Sequence, residues 1–191
     1  MITEVSPVII CPPCLKDGMK QHCLDCEIRT SCTSPRGLCV REYPNHKLGC
    51  PNYGKRKTCP PYVQMFDSVY NLSRPVYAIY NVFGFKSHVD RMREKHPDWS
   101  QRQLECCLYW QSTARKQLKE KIEAFKKLLD EHYQGTRYSI ILTPEAMGVN
   151  VTETMWGVGI KLEWPPVNVA YQIAFAAIRR KNDQTIQSKR S

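Results

Sequence analysis

The stretch PVYAIYNVF (Pro75–Phe83) decides how the second part of the chain folds. Val, Ile, Tyr and Phe supply six of its nine residues, and these residue types suit a pleated, half-buried strand. We therefore predict a strand here. From residue 63 onward, hydrophobic residues recur in a pattern typical of packed helices and strands.

A long helix is predicted after this strand, beginning at Asp98 or Ser100. Ser100 and Gln103 fit a capping box, and Gly135 is a natural C-terminal stop. Between them, apolar residues recur at three- and four-residue steps: Leu104, Cys107, Leu108, Ala114, Leu118, Ile122, Phe125 and Leu129.

Three later stretches, RYSIILT, IKLEW and VNVAYQIAF, are predicted to be strands, and TPEAM fits a helix start with Thr143 as N-cap. Together these elements predict an α+β fold. We expect a cysteine-rich, metal-stapled N-terminal module packed on a small, mainly antiparallel sheet with one long helix.

The composition divides the chain into three parts. Residues 1–62 hold eight of the ten cysteines and show almost no hydrophobic periodicity, so they are predicted to form a cysteine-rich metal-binding module. Residues 63–180 are predicted to form a small α/β domain. Residues 181–191 are predicted to be a basic, flexible tail.

The expected cellular location and the net charge of the chain indicate which kinds of partner and cysteine chemistry to expect. The start MITEVSPVII lacks the basic region of a secretory signal, and no apolar run approaches the ~20 residues of a membrane span. We expect a cytoplasmic protein with no membrane partner, where cysteines stay reduced and favour metal over disulfides. The net charge of +10 favours anionic partners such as nucleic acid.

The first cysteine group is CPPCLKDGMKQHCLDCEIRTSC (residues 11–32). A C-x2-C turn points two sulfurs at one ion, and this segment contains two such pairs. Its C-x2-C-x5-C spacing resembles part of the iron–sulfur loop of the base-excision DNA glycosylases. The predicted ligands here are Cys11, Cys14, Cys23, Cys26 and Cys32.

The second cysteine group comprises Cys39, Cys50 and Cys59, the last two within CPNYGKRKTCPP. This stretch and the distant PEAMGVNVTET resemble a bacterial and archaeal family of cysteine-rich, predicted metal-binding proteins of unknown function. The positions that match are Cys50, Asn52, Tyr53, Gly54, Lys55, Cys59, Pro60, Pro61, Glu145, Ala146, Gly148 and Val151. The chain lacks the second cysteine cluster typical of that family and carries the N-terminal group instead.

The ligand chemistry and the resemblance together predict a metal-binding protein with eight thiol ligands, from the first and second groups. An iron–sulfur cluster, of the 4Fe-4S type, is favoured over zinc, although both take thiolate ligands. A redox or sulfur-transfer role is one hypothesis, with a redox or protein partner. The sequence names no catalytic residue and leaves open whether the protein is an enzyme.

The alternative hypothesis is a zinc-stapled basic protein that binds nucleic acid. Tyr53 is expected to stack on bases while Lys55, Arg56 and Lys57 contact phosphates. The pair Cys106 and Cys107 lies on the predicted long helix. There, Cys107 shares the apolar face and is expected to be a buried core residue.

Overall fold

The computed structural model describes residues 1–9, 34–42, 47, 49–132 and 137–180. Within these ranges a four-stranded sheet with attached helices confirms the predicted α+β class. The strands are β1 (Ile2–Val5), β2 (Val76–Phe83), β3 (Ser139–Ile141) and β4 (Ala170–Ala177). The α-helices are α1 (Pro35–Leu38), α2 (Phe66–Val69), α3 (Phe85–Lys95), α4 (Gln101–Leu104), α5 (Gln111–His132) and α6 (Val151–Trp156). Short 3-10 helices lie at Cys107–Tyr109 and Pro144–Met147.

The sheet is antiparallel throughout, as expected, with the strand order β1-β2-β4-β3. Its centre is the pair β2 and β4, in which seven residues of each strand face each other, from Tyr77 opposite Ala176 to Phe83 opposite Ala170. Both strands were predicted from sequence, and both predictions are confirmed. The short strands β1 and β3 form the edges.

The sheet is covered on both faces because β2 alternates its side chains between two cores. Ile79 packs with α5 on one face, where the core contains Leu118, Ile122, Phe125 and Leu129. Ala78 and Tyr80 point to the other face, whose core includes residues of α2 and α6. A third cluster around Phe83 and Trp110 closes the end of β2 with residues of α3. The predicted long helix is present as α5, with 22 residues.

The start of this helix was predicted wrongly. The capping box of Ser100 and Gln103 is confirmed, but it begins the four-residue helix α4. The chain then breaks at Glu105 and forms a 3-10 turn before α5 begins at Gln111. The break shifts the helical phase, so Leu108, predicted on the apolar face, is 80% exposed.

The same break corrects the interpretation of the two adjacent cysteines. Cys107 is exposed rather than buried in the core, and Cys106 is partly exposed. Neither lies on a continuous helix, because Cys106 precedes the 3-10 turn with non-helical backbone angles (φ −58°, ψ 125°). The expectation that helical geometry buries one of these thiols is therefore wrong.

Other sequence predictions had mixed outcomes. RYSIILT contains β3, as predicted, whereas IKLEW forms no strand. TPEAM begins a 3-10 turn, in which Thr143 makes no side-chain cap. Helices α3 and α6 and strand β1 were not foreseen.

The first residues of the chain are part of the sheet. Strand β1 pairs with β2, and the terminal amine of Met1 donates a hydrogen bond to the carbonyl of Tyr80 (2.7 Å). Val8 donates its N–H to Thr154 Oγ1 (2.9 Å), and Ile9 bridges to Val149. The start of the predicted module 1–62 thus packs on the α/β unit. The boundary at residue 62 stays a prediction, and the predicted tail lies outside the described residues.

No helix in the described ranges has both the length and the apolar composition needed to cross a membrane. The longest, α5, has a charged outer face that carries Lys116, Lys119 and Lys127.

The attachment of the N-terminal segment can be tested at Thr154. Its buried hydroxyl accepts the Val8 N–H and donates to the carbonyl of Asn150 (2.8 Å). Thr154→Val keeps the shape but leaves the Val8 N–H without a partner, so we expect it to lower the free energy of unfolding by about 1–3 kcal/mol. Hydrogen exchange should accelerate at the Val8 amide.

The matched control is Thr113→Val on the exposed surface of α5. This control should change the free energy of unfolding by less than about 0.5 kcal/mol. Equal effects of the two variants would show that the hydroxyl of Thr154 does not hold the N-terminal segment.

Candidate metal and anion site in the cysteine loop

The cysteine loop, which we define as the described residues between Ser34 and Val63, begins with a capped helical turn. Ser34 Oγ accepts the N–H of Gly37 (3.1 Å), and Pro35 occupies the first turn, where its missing N–H is not needed. This turn, α1, ends at Cys39. The Ser-Pro pair therefore fixes where the first described cysteine leaves the helix.

Cys39 and Cys50 are brought together by their backbones. The N–H of Cys50 donates to the carbonyl of Cys39 at 2.7 Å. Gly49 makes this approach feasible because its φ is +82° and a Cβ atom there would lie 2.5 Å from the Cys39 oxygen. Only glycine fits at this position without displacing the backbone.

The segment from Cys50 to Cys59 folds back on itself. Gly54, with φ +68°, donates its N–H to the carbonyl of Pro60 (2.9 Å). Tyr53 donates to Cys50 (3.0 Å) and Cys59 to Arg56 (2.9 Å) across two tight turns. Backbone hydrogen bonds therefore contribute to closing the segment, in addition to any contribution from sulfur ligation.

The described thiols do not complete a metal site among themselves. Cys39, Cys50 and Cys59 are each partly exposed. Across the described ranges, no three His, Cys, Asp or Glu side chains are grouped closely enough to hold an ion. The other predicted ligands, Cys11, Cys14, Cys23, Cys26 and Cys32, lie outside the described residues. The predicted ligand set is thus placed only in part.

A buried cation lies one turn before Cys39. Arg36 is only 5% exposed, and its Nη1 donates to the sulfur of Met65 (3.3 Å). Its Nε is buried and has no hydrogen-bond partner among the described residues. A buried guanidinium is costly unless an anion or hydrogen-bond acceptor compensates it. Sequence analysis missed this residue because surface arginines are common in a chain of this charge.

The loop is docked on the α/β unit through the turn that contains Glu145. Helix α1 lies against Pro144–Met147, and Val40 is buried. Two segments that are distant in sequence, the cysteine loop and the PEAMG stretch, are therefore neighbours in space. Surrounding protein raises the pKa of the Glu145 carboxyl, although the residue keeps an exposed surface.

The outer side of the loop is cationic. Lys55, Arg56 and Lys57 are all exposed, and residues 49–66 contain no Asp or Glu. Tyr62 is exposed beside them, whereas Tyr53 is only partly exposed. This surface can attract anions, and one of its two tyrosines is open for stacking.

His88 on α3 is buried, although charged residues surround it in the sequence. It is 4% exposed, and its ring lies 5.8 Å from that of Phe83. Burial lowers the pKa of its imidazole, and Nε2 has no hydrogen-bond partner. Helix α3 was not predicted from the sequence, so the residues on its inward face could not be assigned.

The close approach of Gly49 to Cys39 can be tested by substitution. Gly49→Ala should open the Cys50 N–H to Cys39 hydrogen bond, because the new methyl group meets backbone atoms. Gly54→Ala is the matched control, since it has a similar positive φ with no atom within 4 Å. Both substitutions should lower the free energy of unfolding by roughly 1–2 kcal/mol because alanine disfavours the left-handed backbone. Only Gly49→Ala should also speed hydrogen exchange at the Cys50 amide. Equal exchange in both would contradict the described loop geometry.

Comparison of the chain with protein-family models, curated proteins and solved structures finds no match. The candidate site is therefore defined by the chemistry of this chain's own residues. The resemblance to the cysteine-rich family stays a prediction.

Proposed function

We propose that this is a cytoplasmic metal-binding protein whose cysteine loop supplies thiolate ligands, with an iron–sulfur cluster as the favoured group and zinc as the alternative. Cys39, Cys50 and Cys59 would hold the group together with cysteines from residues 11–32. Support comes from the position of these three partly exposed cysteines in one loop. When bound, a cluster supplies one-electron transfer or an iron open to sulfur or substrate.

The observation that carries the proposal is the buried Arg36. Within the described part of the chain its Nε has no hydrogen-bond partner, and the residue lies one turn from Cys39. A centre with four thiolates, whether a 4Fe-4S cluster or zinc, has a net negative charge. Such a centre near Cys39 would supply the negative charge that a buried guanidinium requires. The same cation would favour the thiolate form of nearby cysteines.

Two further features fit a ligating loop. The glycines at 49 and 54 permit tight turns near Cys50 because both have positive φ. The prolines at 51, 60 and 61 stiffen the same segment, which lowers the conformational entropy lost when the thiols bind. The exposed cations at 55–57 offset negative charge at a thiolate centre. These features suit zinc and iron–sulfur equally, so the choice between them rests on chemical analysis.

The proposal predicts the metal content of purified protein. Anaerobically prepared protein should be brown and contain iron and acid-labile sulfide, whereas stoichiometric zinc in colourless protein would select the alternative. Cys50→Ala and Cys59→Ala should each reduce bound metal severalfold, because loss of one thiolate weakens a four-ligand site.

Cys107→Ala is the matched control, because Cys107 is exposed and far from the loop in sequence. This variant should keep its full metal content. If the parent protein contains no metal, or if all three variants lose it equally, the proposed site is wrong.

A second candidate function, nucleic-acid binding, is favoured by the cationic side of the loop. Lys55, Arg56 and Lys57 are exposed on a backbone closed by hydrogen bonds, with no carboxylate from residue 49 to 66. Phosphate groups bind such surfaces by displacing counterions, and the exposed Tyr62 can stack on a base. This function is compatible with either metal.

Salt dependence tests this second function. Replacing Lys55, Arg56 and Lys57 with Ala should weaken binding to a single-stranded RNA 12-mer and reduce the log–log salt slope by about 2. The matched control replaces Lys116, Lys119 and Lys127 on α5, which removes the same charge from another exposed surface. Fluorescence anisotropy at several salt concentrations measures both. Equal losses would point to net charge alone and rule out the loop as the binding surface.

A further inference from the structure

Two tryptophans are unusually open to solvent. Trp156 at the end of α6 is 70% exposed, and Trp164 is 72% exposed. Tryptophan is usually well buried in a folded protein because its ring offers a large apolar surface. Two open indoles in one region indicate a surface built for contact.

The two indoles lie on one surface. Trp164 Nε1 donates to Thr152 Oγ1 at 3.2 Å, which holds the second indole against α6. Thr152 and Trp156 are one helical turn apart and share a face of α6. Glu153 lies three residues before Trp156 and is its neighbour on the helix surface. We call Thr152, Glu153, Trp156 and Trp164 the tryptophan face.

The loop that carries Trp164 is held by a carboxylate. Glu163 accepts the backbone N–H groups of Val167 (2.9 Å), Asn168 (2.7 Å) and Val169 (3.3 Å). These hydrogen bonds lower the pKa of Glu163 to about 2, so the clamp is ionised at neutral pH. A fixed loop presents its indole at little cost in conformational entropy.

The charge around this face differs from that of the whole chain. Residues 151–169, which comprise α6 and the loop that carries Trp164, contain two carboxylates and one cation, Lys161, a net charge of −1 in a protein of net charge +10. Glu153 is exposed and uses one oxygen, Oε2, to accept from Asn150. Open indoles beside a carboxylate attract ammonium and guanidinium groups, whose charge is stabilised over an aromatic ring. Nucleic acid is disfavoured because its phosphates would meet carboxylates.

We propose that the tryptophan face binds an arginine- or lysine-bearing segment of a partner protein, with cationic side chains over the two indoles and Glu153 as their counter-charge. A cationic segment complements the charge of Glu153, and the hydrogen bond of Trp164 to Thr152 holds one of the two rings in place for it. Binding is weak, because each exposed cation–π contact contributes little binding free energy and the positive net charge of the chain repels a cationic segment. At ~0.15 M salt, screening over about 8 Å suppresses that long-range repulsion more than the contacts themselves.

The test uses a capped octapeptide of alternating Gly and Arg, with a Gly-Glu octapeptide as the matched probe. In 15N-labelled protein the four indole N–H signals report separately on Trp99, Trp110, Trp156 and Trp164. The arginine peptide should shift the signals of Trp156 and Trp164 and leave the other two in place. The glutamate peptide should shift neither.

Variants define the contribution of each group. Trp156→Ala and Trp164→Ala should each weaken binding of the arginine peptide about two- to fivefold, and Glu153→Gln by a similar factor. Leu108→Ala is the control, since Leu108 is an exposed apolar residue outside the face, and it should bind normally. Both tryptophans are exposed, so their variants should keep the parent's unfolding midpoint.

Three outcomes would overturn the proposal. The arginine and glutamate peptides could shift the indole signals equally. The peptide could bind with unchanged affinity in both tryptophan variants. Sedimentation velocity could show concentration-dependent dimers that Trp164→Ala abolishes, which would assign the face to a second copy of the chain.

Discussion

The pairing of β2 with β4 determines where the other described elements lie, because these two strands form the centre of the described sheet and both contribute residues to the cores on its two faces. Side chains that alternate along β2 divide the apolar residues into a core under α5 and a core under the shorter helices. A shift of the β2–β4 register by one residue would turn Ile79 toward the opposite face of the sheet and expose one of the two cores. The edge strands, the N-terminal segment and the turn beneath the cysteine loop are all positioned by this pair.

The cysteine loop and the sheet are stabilised by different kinds of interaction. Burial of apolar area stabilises the sheet, as Phe175 and Ile79 illustrate by being fully buried. The loop contains few such residues and relies on capping by Ser34, on glycine turns and on backbone hydrogen bonds. Its buried Arg36 joins the two regions, because it reaches Met65 just before α2. Because Arg36 is buried and charged, the stability of the loop should depend on the charge of any group bound in it.

Sequence reasoning succeeded where propensity and burial agree. Val76–Phe83 was recognisable because its β-branched and aromatic residues are buried in the middle of the sheet. It failed where a pattern has two explanations. In IKLEW, Leu162 is buried and Lys161 exposed, but this alternation occurs in a segment that pairs with no strand. The break at Glu105 was invisible because the apolar spacing continues across it, and β1 is a four-residue edge strand with no clear period.

The cysteines and the cations of the candidate site were proposed from residue type and spacing and stay predictions, whereas Arg36 and the tryptophan face were not predicted. The burial of Arg36 and the hydrogen bond between Trp164 and Thr152 depend on tertiary structure, and no local sequence pattern indicates them. The break between α4 and α5 has a practical consequence of its own. Among the described thiols, Cys107 is the most open to solvent, with Cys106 beside it. Alkylating reagents and oxygen therefore reach Cys106 and Cys107 more readily than the cysteines of the loop. A loss of titratable thiols in untreated samples will reflect modification of this pair first.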